Sequence, residues 1–391
     1  MIFKSEIYYQ ITGLIGGLLL LIIPSVFPDK FSITWGFVYF YQILIICGIL
    51  SFFYFFSKIL SIQFKFIIVL LLLFESIFYS CFLLMKLGIA PHSYIEDQLR
   101  DFYIHSMRTT PQFDEQLAQY DENLFYKLKP GDHQFSNLEF QNKFSINSQG
   151  VRDDNESLNF PEIICLGDSF TMGWGVEAEE SFPSLIEKNT KQKTLNLGIS
   201  SYGTVREYLL LKQTEFDSCK LLIIQYCSND KYENRSYLNN TFNISSEEKY
   251  KIAQRINHLN SAYYPFKWSF SLFSKVIRLI SFDRDKPIYV NKVEISDDVE
   301  TFFKIINILP KKFSGKILIF NLEPYHTTDE YFHVFKQYLN KHPNNNIFLF
   351  NAASVLEKSD YFKIDDHLNT NGHRKIFKGI LKVSKENNLL N

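Results

Sequence analysis

The chain has 391 residues, 46% apolar and 17% aromatic, with 41 Lys and Arg against 42 Asp and Glu. That balance excludes a nucleic-acid binder working through a broad basic surface. The aromatic content excludes a largely disordered chain, five cysteines are too few for a disulfide scaffold, and the length allows two domains or one large one.

The charges are unevenly spread. Residues 1–95 hold eight: Lys4, Glu6, Asp29, Lys30, Lys58, Lys65, Glu75 and Lys86. The other 75 fall in the remaining 296 residues, the density of a water-soluble domain. Residues 7–28 and 31–57 carry no charge, and residues 66–85 carry only Glu75. Since about 20 apolar residues cross the hydrocarbon core, three spanning helices are predicted over about 8–28, 34–57 and 66–86. Together they make a membrane anchor of residues 1–90. No small-residue cleavage site follows the first run, which argues against a removed signal peptide. In the short connections Lys4, Lys58 and Lys65 outweigh Lys30, although Lys86 counts the other way. The chain thus reads as a multi-pass membrane protein with the rest of its length on the extracytoplasmic side. Glu75 lies near mid-span, where a carboxylate is a functional candidate. The plainer reading is a carboxyl bonded to a neighbouring helix, through a group such as Gln42.

Residues 91–160 read as a linker and a β-hairpin lead-in. Pro91, Pro111 and Pro130 punctuate the stretch, and residues 138–152 alternate in hairpin fashion about Asn142–Lys143. From residue 161 the rhythm changes. Short apolar runs appear at Ile163–Leu166, Leu195–Leu197, Leu221–Tyr226, Lys316–Asn321 and Ile347–Phe350. Helical patterns cover 181–190, 203–215, 297–309 and 328–341. This alternation predicts an α/β fold over residues 161–391, a parallel sheet between two helical layers. Residues 231–295 break the rhythm. They hold Tyr263, Tyr264, Phe266, Trp268, Phe270 and Phe273, and read as an inserted cap.

Ligands of such sheets sit at the carboxyl ends of the strands, and here each end carries polar groups. The first strand runs into Gly167-Asp168-Ser169, where a helix start aims N–H groups at the serine hydroxyl. Residues 196–203 follow the second strand and Cys227-Ser228-Asn229-Asp230 the third. Asp365-Asp366-His367 and then His373 lie near the C-terminus. Asp168 reads as a helix cap, Asp230 as a brace of its turn, and His373 as a packing residue of the last helix. Cys165, Cys219 and Cys227 read as buried thiols, with a Cys219–Cys227 pair open in an oxidising compartment.

These four blocks, in this order, resemble those of the SGNH, or GDSL-type, hydrolase family over about residues 120–385. The lead-in stretches YDENLFYKLKP and INSQGVR resemble what precedes the serine block in membrane-tethered bacterial members. The resemblance implies a three-layer SGNH or flavodoxin-like fold. It implies Ser169 as nucleophile, His367 as its base and Asp365 as the acid that orients the ring. It also implies an oxyanion hole made by the backbone N–H groups of Ser169 and Ser201 and the side-chain amide of Asn229. Three positions depart from the family pattern. Its second-block glycine falls at Ser201, its GxND glycine at Cys227, and its final block is the tighter Asp365-x-His367. Asp366 and His373 remain alternatives as working members.

The expected function is a membrane-anchored serine esterase that hydrolyses an acyl ester, such as an O-acetyl group, of an envelope glycan or lipid. One alternative is an O-acyltransferase acting on a surface polysaccharide, which needs a membrane partner to bring the acyl donor. Another is a non-catalytic envelope protein that retains the fold. No cofactor, metal or nucleic-acid partner is expected, because no His, Cys and Asp pattern has metal-ligand spacing.

Overall fold

The computed structural model describes residues 2–31, 34–89, 93–281, 292–308 and 313–390, in two compact units. One unit takes residues up to 109 together with 248–281, and the other takes 110–247 with the described residues from 292 onward. Residues 91–92 of the expected linker and 282–291 of the expected cap lie outside the described residues.

Three helices of the first unit, Glu6–Val26, Trp35–Ile59 and Phe64–Lys86, are long and apolar enough to cross a membrane. In hydrocarbon a helix is the form that satisfies every backbone N–H and C=O within one segment. The first two helices pack closely because Gly17 has no side chain; a Cβ there would lie 2.5 Å from the backbone nitrogen of Phe52. Helix Ser93–Ser106 follows, where a linker was expected. It buries Leu99, Phe102 and Tyr103 and pairs Glu96 with Arg100 one turn on, so the prolines at 91 and 111 flank a helix.

Residues 231–295 divide between the units. Helices Glu247–Ser261 and Lys267–Ser281 pack with the spanning helices, not as a cap. Their aromatic residues are the reason: Tyr264, Phe266 and Phe270 share a buried cluster with Leu21, Tyr41, Ile45 and Ile49. Glu75 is buried in this unit and binds the start of helix Lys267–Ser281, not Gln42. Its carboxylate accepts from the N–H of Trp268 at 3.3 Å and from the N–H and hydroxyl of Ser269, both at 2.6 Å. A helix start has N–H groups without intrahelical partners, which an acidic side chain satisfies.

The second unit begins with two antiparallel hairpins. β1 (Ala118–Asp121) pairs with β2 (Phe125–Leu128), and β3 (Gly131–Ser136) with β4 (Gln141–Ile146). The second hairpin turns at residues 137–140, closed by Asn137 N–H to Phe140 O at 3.0 Å. Asn142 and Lys143, read as the turn, lie inside β4, because the alternation that buries Asn142, Phe144 and Ile146 continues through them.

Five parallel strands follow: β5 (Ile163–Leu166), β6 (Thr194–Asn196), β7 (Leu221–Tyr226), β8 (Lys316–Asn321) and β9 (Ile347–Leu349), in spatial order β6-β5-β7-β8-β9. Cys165 of β5 lies between Asn196 of β6 and Ile223 of β7. Every residue of β5 and β7 is buried, as expected for strands covered on both faces. On one face Ile163, Cys165, Leu221, Ile223, Leu318 and Phe320 meet helices Phe182–Thr190 and Thr370–Glu386. On the other, Tyr226 meets Phe302 and Phe335 of helices Lys292–Ile306 and Glu330–Lys341. This is a three-layer α/β/α fold. The connection direction reverses between β5 and β7, and the crevice beyond the strand ends at such a switch point is where open α/β sheets bind ligands.

Candidate active site

The turn after β5 is shaped by its neighbours. A Cβ on Gly167 would meet Thr171 Oγ1 at 2.2 Å and Gln225 Oε1 at 2.5 Å, so glycine is required. The Asp168 carboxylate caps the short helix Ser169–Met172 by accepting from Phe170 N–H at 2.9 Å. Burial pushes that carboxyl up to about 6, against the opposing Phe170 hydrogen bond. Gln225 on β7 accepts from Asp168 N–H at 3.2 Å and from the Thr171 hydroxyl at 3.1 Å.

The Ser169 hydroxyl lies 2.7 Å from Nε2 of His367, across 198 positions of chain. Nδ1 of His367 faces two carboxylates, Asp365 Oδ1 at 2.6 Å and Asp366 Oδ1 at 2.8 Å. In the neutral ring, two acceptors at Nδ1 place the proton there and leave Nε2 as the acceptor for the serine hydroxyl. Asp365 is fully buried and also accepts from His367 N–H at 3.2 Å. Burial lowers the His367 pKa, but the charges and hydrogen bonds of Asp366 and Asp365 outweigh it and raise the imidazole to about 9. Trp174 stacks on the ring with centroids 4.5 Å apart and planes 15° apart. A hydroxyl bonded to an imidazole that a carboxylate holds from behind can lose its proton as it attacks a carbonyl.

No family model matches the chain, and no curated protein does. A solved protein of the G-D-S-L family from Desulfitobacterium hafniense DCB-2 is similar. The identity is 13%, the match covers 56% of this chain and 98% of that one, and the TM-score is 0.33.

The remaining sequence-derived residues sit at the neighbouring strand ends. Ser201 follows β6 and is exposed; Asn229 is exposed in the turn Ser228–Asp230 after β7. Ser201 has φ +60°, in the left-handed region that favours glycine. Its hydroxyl accepts from Gln112 at 3.1 Å and its carbonyl from Arg206 Nη2 at 2.5 Å. Glu323, at the end of β8, braces the other turn by accepting from the N–H of Ser228 at 3.1 Å and its hydroxyl at 2.6 Å. Burial raises the Glu323 carboxyl to about 7, against those hydrogen bonds. His373 is not brought to the serine. It is buried, accepts from Phe182 N–H at 3.3 Å, and burial pushes it down to about 3, a neutral packing residue.

Asp365, Asp366 and His367 also offer ligand atoms within 4.8 Å of one another, the spacing of a metal site. Sequence spacing had given no such group. Here both carboxylates already engage Nδ1 and Ser169 engages Nε2, so hydrogen bonds occupy the histidine. Cys219 and Cys227 are separate buried thiols at opposite ends of β7. Six strand residues at about 3.3 Å each hold them far beyond the roughly 7 Å Cα limit of a disulfide.

Sequence reasoning missed Trp174, Glu139, Arg206 and the function of Arg152. Arg152 ends the INSQGVR stretch and is buried. It donates to the carbonyls of Gly173 at 2.6 Å, Lys143 at 2.8 Å and Val176 at 2.9 Å. It therefore ties the lead-in to the loop that carries Trp174. An arginine beside an apolar alternation, so close before the serine block, was the available signal.

Proposed function

We propose that the chain is a membrane-anchored serine esterase. The observation that carries this reading is the 2.7 Å contact between Ser169 Oγ and His367 Nε2, with Asp365 on the opposite ring nitrogen. Ser169 attacks an ester carbonyl while His367 takes its proton, and Asp365 fixes the ring and offsets the charge that forms on it. The tetrahedral oxyanion is received by the N–H groups of Ser169 and Ser201 and the amide of Asn229. His367 then returns the proton to the leaving alcohol. Water, deprotonated by the same ring, cleaves the acyl-enzyme.

The substrate in this reading is an acyl ester, such as an O-acetyl group, on a glycan or lipid of the cell envelope. Its support is the lysine distribution, which favours an extracytoplasmic second unit. The test is labelling of the full-length protein in membranes with a fluorophosphonate, with and without Ser169→Ala. Labelling lost with the substitution supports the nucleophile; undiminished labelling refutes it. Incubation with an O-acetylated glycan and an unacetylated acceptor then separates release of acetate from transfer.

A further inference from the structure

The hairpin β3–β4 reaches the histidine loop through two adjacent turn residues. The Glu139 carboxylate accepts three consecutive backbone N–H groups: Lys363 at 2.9 Å, Ile364 at 2.8 Å and Asp365 at 2.7 Å. Successive N–H groups pointing into one concavity form a nest that favours an anion. Here the anion comes from 224 to 226 positions earlier in the same chain. Burial raises the Glu139 carboxyl above its ordinary range, and the three N–H bonds oppose that.

Phe140, the next residue, packs against Phe362 at 5.4 Å and Trp174 at 6.2 Å between centroids, and Trp174 stacks on His367. The turn therefore grips the loop on one side through hydrogen bonds and supports the imidazole on the other through two rings. The arrangement has a local consequence. An aspartate in a tight loop readily folds back onto the N–H groups beside it. With those at 363–365 committed to Glu139, Asp365 Oδ1 is left to the N–H and Nδ1 of His367.

We propose that Glu139 is a positioning residue for the Asp365–His367 pair, so that the hairpin preceding the α/β domain is part of the machinery of the serine site. This rests on the serine-esterase reading above. Glu139 touches no reacting atom and acts through the loop it holds. Glu139→Ala leaves three N–H groups free to recapture Asp365. Glu139→Gln keeps the shape but turns an amide N–H toward one of the donors. The groups that set the charge of His367 are Asp365 and Asp366 on its own loop, Asp168 on the serine turn and neutral His373 on the last helix.

The experiment measures the second-order rate of fluorophosphonate labelling from pH 5 to pH 10 in the full chain. It compares wild type, Glu139→Gln, Glu139→Ala and Ser169→Ala, with melting temperatures and rates normalised to folded protein. On the high-pH plateau, where the ring is neutral in every variant, the expected order is wild type, then Gln, then Ala, with the Ala variant about tenfold or more slower. The pH midpoint falls by about one unit as Asp365 loosens its hold on the ring. A lowered melting temperature with unchanged normalised rate and midpoint overturns the proposal and leaves Glu139 as a structural brace. If Glu139→Ala does not fold, Glu139→Gln decides by the same two readouts. Undiminished labelling of Ser169→Ala is a different failure: it removes the esterase reading itself, whatever the Glu139 variants do.

Discussion

The carboxylate of Glu75, in the middle of a helix long and apolar enough to cross a membrane, is bonded to both the N–H and the hydroxyl of Ser269. A charged-type side chain in such a segment is rare and pairs with polar partners in the bundle interior. Its partners here belong to a helix nearly two hundred positions later, inserted into the sequence of the α/β unit. Glu75→Ala leaves the N–H groups of Trp268 and Ser269 without acceptors in an apolar setting, a cost of about 1–3 kcal/mol. The amides at 268–269 are expected to exchange hydrogen faster in detergent-solubilised Glu75→Ala than in wild type. Glu75→Gln, which keeps an acceptor, loses less. Equal exchange in all three would show that the carboxylate does not hold the helix.

The pH profile follows from His367. Its folded pKa, about 9, lies above the ordinary imidazole value, so its ion pair contributes stability that is full below about 6.5 and lost as pH rises through about 9. Base catalysis needs the neutral ring, so labelling of Ser169 rises over that same window. Asp366→Asn removes the carboxylate that raises the imidazole most, and its midpoint moves toward neutrality. The labelling rate against pH checks this; a midpoint unchanged by Asp366→Asn would remove that aspartate from the account.

The two aspartates are separable. Asp365 holds Nδ1 at the shorter distance and also the His367 N–H, so it fixes the ring orientation. Asp365→Asn, measured above the pKa, is expected to lower the normalised labelling rate by about 10² or more, because an amide facing Nδ1 favours the wrong tautomer. Asp366→Asn, measured above the pKa, is expected to cost less than about tenfold. The reverse order would make Asp366 the orienting acid.

Ser201 holds a left-handed backbone conformation, φ +60°, with a side chain present. Arg206 donates to its carbonyl, and Glu233 holds Arg206 through Nε at 2.7 Å and through the backbone N–H at 2.8 Å. Tyr202 lies 4.7 Å from the same guanidinium. Because a backbone N–H is what the site would draw from this residue, Ser201→Gly should label within about threefold of wild type, under ~0.7 kcal/mol. Arg206→Met, which frees the peptide, should label about tenfold more slowly. Loss of labelling in Ser201→Gly would assign the work to the hydroxyl.

Much of this architecture could be read locally. Long apolar runs, two of them uncharged and the third carrying only Glu75, marked the three helices, and continuous apolar runs marked the five parallel strands to within a residue or two. Ser169 was legible as a serine at a strand end, and its pairing with His367 was what the resemblance of the four sequence blocks implied. The fate of residues 248–281 was not readable, because an apolar helix face suits a cap and a membrane bundle equally. Helix Ser93–Ser106 was hidden by the prolines that bound it.

The order of apolar and polar residues determines which segments become spans, strands and helices, since that depends on burial demands repeated every two or 3.6 residues. Which carboxylate meets which N–H is set otherwise. Glu139 and Asp365, or Glu75 and Ser269, are far apart in the chain and leave no periodic trace. Only the packed fold brings such groups within hydrogen-bonding reach, because a buried polar atom must find a partner wherever the backbone delivers one.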